Sequence, residues 1–338
     1  TTQVNGQDVE SYFVWIPRYA YKINGENDID IKFIKGTGTE ATDGTTCKYA
    51  DDSTLNTSTD YIIHPAFTTN ADLGGGWDEE LPGIWIGKYE AARSDTEGST
   101  DGTATTIKVQ PGVTNFSSIT IGDMYTYAKA YSTELKSHML KNSEWGAVAY
   151  LTESKYGRNG TEVSINNNGT TYYTGGGAEK AYINNVLQSS TGNVYGIYDL
   201  SGNAYEYVAS YYNGSDANTT YIGYGDSFAS IGGTSDEYST VYNSSGNDSA
   251  SARANYKYGD ATYKTSGWHG DYAYFVYSTY PFFLRGGHFS NGSIAGVFNF
   301  NYSSRWQRQQ QLVPPLPSVM CNLLSEQASE KNRPCNKK

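Results

Sequence analysis

Thirty-two tyrosines in a chain of 338 residues constrain what this sequence can fold into more than any other feature. Aromatic residues reach 14%, too many for a chain that stays disordered. Glycine is also abundant, at 37, and Asn, Ser and Thr fill much of the remainder. The core is short of Leu and Ile, so aromatic rings have to fill part of it. The chain reads as a loop-rich globular protein with a strand-based core, long enough for one large domain or two modest ones.

Charged residues make up 17%, against roughly 25% in ordinary soluble domains. The net charge of −11 argues against a nucleic-acid partner, which needs clustered Lys and Arg, and is read as plain solubility. No run of 18 apolar residues occurs, so no membrane span is expected. The sequence opens on Thr1 without a basic and apolar leader, so no signal peptide is visible. The three cysteines, Cys47, Cys321 and Cys335, match no zinc spacing and imply no disulfide framework.

Residues 12–23 read as a strand with Pro17 at a bend or edge. Short strands follow at 31–34 and 61–67, separated by a Thr-, Gly- and Asp-rich loop over 36–60. Over 81–92, Ile84, Ile86 and the Lys88 stem alternate with Trp85, Gly87 and Tyr89, as in a strand packed on both faces. The spacing of Met124, Tyr127, Ala128 and Tyr131 predicts a helix over 121–136. A second helix is expected after Asn142 as N-cap, with Glu144 in its first turn. Its inward face would carry Trp145, Val148, Ala149 and Thr152, and Gly157 would follow its end. Residues 209–270 read as surface loops held by scattered aromatics.

The most informative segment is YGIYDLSGNAYEYV at 195–208. Ser201-Gly202-Asn203 has turn chemistry, and a strand follows with Tyr205 and Tyr207 on one face and Glu206 on the other. Further on, PFFLRGGHF at 281–289 contains an Arg-Gly-Gly turn whose two glycines allow close backbone approach. Val297, Phe298 and Phe300 are expected core anchors.

The order of a helix, the Asn-Ser-Glu-Trp helix, GIYDLSGNAYEYV and LRGG resembles the formylglycine-generating-enzyme-like branch of the C-type lectin fold. Asn203, Glu206, Arg285, Gly286 and Gly287 carry the scaffold motif, with Tyr205 and Tyr207 where the family usually has Trp. The segments VWIPRYAYKI, HPAF, GIWIGKYE, MLKNSEWGAVAYL and SKYG are similar to a narrower group: phage and prophage tail proteins of gut bacteria. Some members of that group are variable proteins of diversity-generating retroelements. The resemblance implies an α+β, C-type-lectin-like fold with short antiparallel strands, two helices and long loops. Residues 1–92 would form a β-rich segment in or on the main domain, 93–304 the domain proper with a variable stretch at 281–304, and 305–338 an atypical tail.

In such variable proteins the C-terminal stretch is rewritten at adenines of Asn-type codons. His288, Ser290, Ile294, Tyr302, Ser303 and Ser304 stand where the pattern has Asn, and each type is reachable from AAC by changing adenines only. Gly286, Gly287, Gly296, Val297, Phe298 and Phe300 keep the pattern. A fixed frame with a variable surface requires that split; drift in an ordinary surface loop is the plainer alternative. Tyr256, Tyr258, Trp268, Tyr272 and Tyr274 are candidate flanking contacts, although core filling accounts for any one of them equally well. Tyr, Ser, Asn and Gly on adaptable loops are the types that paratopes favour.

Catalytic chemistry is sparse. The resemblance implies a cysteine pair near the C-terminal strands in the enzymes, and this chain has none between Cys47 and Cys321. His64, His138, His269 and His288 show no metal-ligand spacing, and His64, before Pro65, reads as structural. No nucleophile elbow or phosphate loop occurs. Asp43, Asp51 and Asp52 lie in loops that could hold calcium, without an EF-hand pattern; otherwise no cofactor is expected.

The expected function is receptor binding by a phage tail tip or prophage-encoded adhesin, displayed on a virion tail or bacterial surface. The partner would be a bacterial surface protein or glycan, alongside other virion tail proteins. The oligomeric state stays open, a trimer among the options. The rivals are an enzyme of the formylglycine-generating-like class with a cysteine-free site, and a purely structural virion protein. From Arg305 the sequence departs from the family pattern. One coding of 305–315, read one base later, gives Gly-Gly-Asn-Gly-Asn-Asn-Asn-Ser-Phe-Arg and restores it, which makes 305–338 an expected out-of-frame, poorly ordered tail. Sequencing the gene is expected to show that Asn run in the second frame; codons that do not yield it end the idea.

Overall fold

The computed structural model describes residues 11–94, 107–117, 119–215, 217, 234–246, 248 and 255–303. The aromatic run predicted as one strand divides into β1 (Phe13–Pro17) and β2 (Tyr19–Gly25). The break follows Pro17, which has no N–H to donate to a ladder. At the break Arg18 turns fully inward, donating from Nη1 to the Phe67 carbonyl at 2.8 Å, with Nη2 2.7 Å from the Glu80 carboxylate. β2 pairs antiparallel with β3 (Asp28–Phe33) and with β4 (Ile62–Ile63). The strand expected over 61–67 is therefore short. Pro65 starts a 3-10 turn, Pro65–Phe67, and the His64 Nδ1 accepts from the Ala66 N–H to cap it.

β1 pairs antiparallel with β5 (Gly83–Gly87), setting Trp15 opposite Trp85 with ring centroids 5.3 Å apart. Such a pair contributes roughly 0.5–1.5 kcal/mol beyond its burial. Ile84 and Ile86 are buried on the other face, as the sequence predicted. A two-residue pairing of β6 (Ala92–Arg93) with β7 (Ile107–Lys108) leads toward the helices.

α1 (Ile121–Tyr131) starts at a Thr120 cap and ends five residues short of the expected boundary. The Ser137 hydroxyl accounts for the stop: it donates to the Ala128 carbonyl at 2.7 Å and accepts from the Ser132 N–H at 2.8 Å. Met124 and Ala128 face the core as predicted, but Tyr125 is buried where Tyr127 and Tyr131 are only half-buried.

α2 (Asn142–Glu153) corrects the predicted cap. Lys141 is the N-cap, and Glu144 reaches back to accept its N–H at 2.8 Å. Asn142 is the first helical residue, and its amide donates to Tyr242 Oη. Trp145, Val148, Ala149 and Thr152 are buried as expected. Ser154, in extended conformation, closes the helix instead of Gly157. Gly157 lies in the next turn, where a Cβ would come 2.3 Å from the Thr152 carbonyl oxygen.

The C-terminal sheet has the order β11-β10-β8-β9, formed by β8 (Glu206–Tyr212), β9 (Thr240–Tyr242), β10 (Phe282–Arg285) and β11 (Phe300–Ser303). β8 and β9 run parallel; β10 is antiparallel to both its neighbours. Glu206 and Tyr207 are both buried, so the alternation read from sequence does not separate a wet face from a dry one. Part of the stretch read as surface loops is interior: Tyr211, Tyr212, Val241, Tyr242 and Trp268 are buried. Val297, Phe298 and Phe300 anchor the core as predicted.

A single apolar cluster runs from Ile16 and Tyr19 through Trp145 to Phe298 and Phe300, so the first strands and the last sheet share one core. The architecture is α+β with short, mostly antiparallel strands. Among the described residues no helix is long and apolar enough to cross a membrane.

Gly146 fixes how closely α2 approaches the loop beneath it: a Cβ there would lie 1.8 Å from the Gly259 carbonyl oxygen. Gly146→Ala is expected to cost about 3 kcal/mol in chemical denaturation; an unchanged midpoint would contradict this packing.

Candidate functional site

The site grows out of Arg285 at the end of β10. The residue is fully buried. Its guanidinium lies 5.5 Å from the Trp145 ring and 5.6 Å from the Phe300 ring. Nη1 points at Asn142 Oδ1 (3.5 Å) and donates to the Asp260 carbonyl (3.3 Å), and Nη2 donates to the Ala261 carbonyl (3.4 Å). Burial lowers its pKa to about 10, which still leaves it charged at neutral pH. Gly286 and Gly287 then adopt φ of 75° and 77°, which few other residues take readily. A Cβ on Gly287 would lie 2.7 Å from Ala295, so the close approach expected from the sequence is real. The Gly286 carbonyl accepts N–H bonds from both Gly202 and Gly296, and Phe289 N–H donates to the Asn203 carbonyl.

This turn presents the segment expected to vary. His288 precedes a 3-10 turn, Phe289–Ile294. Its ring stacks on Tyr205 (5.6 Å, 21°) and lies 3.2 Å from Tyr172 Oη through Nε2, while Nδ1 meets Ser290 Oγ at 2.8 Å. Burial lowers the His288 pKa, favouring the neutral ring. Ser290 and Ile294 are exposed, Ile294 at 39%. Tyr302, on β11, stacks with Tyr280 at 5.3 Å and 3° and packs edge-on to Tyr274 and Tyr277. Tyr272 and Tyr274 stack at 4.5 Å and 9°. The Tyr272 N–H donates to the Ile294 carbonyl at 3.0 Å, which ties this second ring group to the turn after His288. The half-buried rings form a belt in two groups, Tyr172, Tyr205 and His288 in one and Tyr272, Tyr274, Tyr277, Tyr280 and Tyr302 in the other.

Of the predicted face residues, His288, Ser290, Ile294 and Tyr302 lie along this belt; Ser303 closes β11 opposite Phe282, and Ser304 lies outside the described residues, as does the 305–338 tail. The five flanking candidates separate. Tyr272 and Tyr274 join the belt. Trp268 is buried against Phe298 and is core. Tyr256 and Tyr258 line a different hollow, with Tyr21 and Tyr150. The sequence reading missed Tyr172, Tyr277 and Tyr280, since nothing in their spacing ties them to residue 288 or 302.

Asn203 and Glu206 serve the scaffold. Asn203 holds a left-handed φ of 54° and its amide donates to the buried Glu90 carboxylate, which also accepts from Asn115 at 2.6 Å. Asp199 lies alongside, accepting from Asn166 Nδ2 and Gly175 N–H, both at 2.9 Å. Burial pushes Asp199 up to about 6, and burial followed by repulsion from Asp199 raises Glu90 and Glu206. His64 is enclosed by aromatic rings, and burial takes its pKa down to about 3, consistent with a structural role. The buried Cys47 thiol is held up at about 11, far from the thiolate a nucleophile needs. Asp43, Asp51 and Asp52, considered for calcium, are turned to Lys32, Asn70 and Thr54 respectively. Among the described residues no group of His, Cys, Asp and Glu converges to hold a metal.

The fold and site define an α+β scaffold whose Arg-Gly-Gly turn displays a ring-lined surface. The chain belongs to the sulfatase-modifying factor enzyme 1-like domain family, whose model matches residues 32–270. That match covers α2, the Asn203–Glu206 motif and the loop at Asp260, and stops before β10. Comparison with the curated proteins gives no match.

Asp271 links the belt to the core. Its Oδ2 accepts the Phe298 N–H at 2.9 Å, its Oδ1 meets no donor among the described residues, and burial pushes its pKa up to about 7. A carboxyl raised in the folded state binds its proton more tightly there than in the unfolded chain, so its contribution is full below pH ~4 and falls as pH rises through about 7. Asp271→Asn removes this term. Relative to the parent chain, the variant is expected to gain stability progressively between pH 5 and pH 8, read as the difference in melting temperature; a pH-independent difference would contradict the burial effect.

Proposed function

We propose that the chain is a ligand-binding protein of C-type-lectin-like fold, with residues 288–304 as a diversified recognition face. The observation that carries this reading is the belt of stacked, half-buried rings on a turn whose own backbone is fixed from beneath. Tyr and His rings offer large contact area with few rotors to freeze, and Ser290 and Asn291 add adaptable hydrogen bonding. Exchange of His288, Ser290, Ile294 or Tyr302 changes the surface, while Gly286, Gly287, Val297 and Phe298 keep the frame. The partner is a bacterial surface protein or glycan, and the setting is a phage tail tip or prophage-encoded adhesin whose variable stretch is rewritten by a retroelement.

The rival with an observation in its favour is an enzyme with a cysteine-free site, because Asp199 and Asp271 carry raised pKa values of about 6 and about 7. Both are buried and hydrogen-bonded to the scaffold, and neither lines a described hollow, which favours binding over catalysis.

Replacing residues 288–303 by a sibling's variable stretch is expected to change which cells or arrayed glycans the protein binds, with little change in melting temperature. Tyr302→Ala and Tyr272→Ala each remove an anchor ring and should cost about 2 kcal/mol of binding on the same array. Unfolding after conservative exchanges at His288, Ser290 and Ile294, or array binding indifferent to all of these changes, would overturn the reading.

A further inference from the structure

The hollow beside Tyr256 shares no lining residue with the ring belt, and neither the family match nor the proposed recognition face accounts for it. It is a shallow, open hollow of about 540 Å³ counted together with the solvent at its mouth. One wall is a stacked pair, Tyr256 and Tyr263, with centroids 3.8 Å apart and planes at 14°; Tyr258 meets Tyr256 edge-on at 5.5 Å. Tyr21 and Tyr150 form the buried floor.

Lysines rim this aromatic bowl. Lys257 is occupied, donating to the Asp72 carbonyl. Lys264 also lines the hollow, with its ammonium 5.9 Å from the centre of the Tyr263 ring, and among the described residues it has no carboxylate within 4.0 Å; the Lys22 ammonium is turned instead to the Tyr61 ring, at 4.9 Å. A cation at this hollow without a close counter-ion is notable on a chain of net charge −11. Lys264 is exposed and also borders a second, more open hollow lined by Asn24, Glu26 and Ser266. The two hollows share Ile23 and Lys264 in their linings.

The loop carrying these groups is held in uncommon backbone geometry. Ala261 and Lys264 have φ of 54° and 56°, and Gly259 has 79°. Such residues persist only where the surroundings over-determine them. Asp260 does this from within, accepting from Lys257 N–H, Thr262 N–H and Oγ1, and Tyr242 Oη at 2.7–3.1 Å. Arg285 does it from below, binding the Asp260 and Ala261 carbonyls. The scaffold arginine thus prepositions a second concave surface as well as the turn after it.

We propose that this hollow binds an acidic saccharide, with a sugar ring against the Tyr256–Tyr263 wall and its carboxylate at Lys264. Aromatic faces carry negative electrostatic potential that attracts the polarised C–H bonds of a pyranose, and the Lys264 ammonium pairs with the carboxylate. The adjoining Asn24 and Ser266 offer hydrogen bonds to a following residue of the chain.

The test is saturation-transfer NMR and calorimetry on the full chain with glucuronate and N-acetylneuraminate, against glucose, the methyl ester of glucuronate, and acetate. Expected are saturable binding of at least one acidic sugar and about tenfold weaker binding of its uncharged counterpart. Lys264→Asn, which suits the left-handed backbone, should weaken the acidic sugar about tenfold with the melting temperature kept. Tyr256→Ala should abolish it. No transfer from either acidic sugar overturns the proposal, as does glucose or the ester binding equally well. Acetate binding equally well would reduce the site to an anion patch and overturn it too. Belt variants such as Tyr302→Ala should leave this binding unchanged, so it stands or falls separately from the recognition face.

Discussion

A buried guanidinium holds this structure together. Arg285 lies between the Trp145 and Phe300 rings and binds carbonyls of the loop at Asp260. Leaving that charge without partners would cost several kcal/mol, so the helix, the last strand and the loop must all be present for it to be accommodated. The buried carboxyls of Asp260, Glu206 and Asp271 interact electrostatically with it, although burial raises the pKa of all three. Both proposed surfaces depend on this arrangement: the turn at Gly286-Gly287 leaves it on one side, and the Tyr256–Lys264 loop is anchored by it on the other.

The tyrosine content explains why buried polar contacts are so numerous. A ring fills core volume as Leu would, but its hydroxyl needs a partner once water is gone. Tyr19 Oη finds the Ala147 carbonyl, Tyr198 Oη the Tyr182 carbonyl, and Tyr242 Oη the Asp260 carboxylate. Each such bond reaches across long stretches of chain or between loops. The core is therefore specified by directed contacts as much as by apolar area, and the long loops are held in place without regular secondary structure.

Much of the scaffold was legible in the sequence. Pro17 marked the break between strands, Ser201-Gly202-Asn203 its turn, and Val297, Phe298 and Phe300 the last core anchors. The errors have local causes. Asn142 looked like a cap, but Glu144 reaches back to Lys141 and leaves Asn142 for the Tyr242 hydroxyl. The period of α1 continued on paper past Tyr131, where Ser137 satisfies the last carbonyls. The strand at 61–67 failed at Pro65. The proposed face was read as a run of residue types, yet its aromatic neighbours were not legible, because Tyr172 is brought to His288 across more than a hundred residues.

The sequence by itself determined the local devices: the positive-φ turns, the apolar anchors, the arginine-glycine-glycine motif and the absence of a cysteine pair near the C-terminal strands. These follow from the chemistry of a few adjacent residues, so no tertiary information is needed to read them. Only the tertiary structure decided which tyrosines are core, which form the belt, and which line the hollow at Lys264. A tyrosine is compatible with all three, and its fate depends on whether distant chain segments bring its hydroxyl a partner, its face a second ring, or neither.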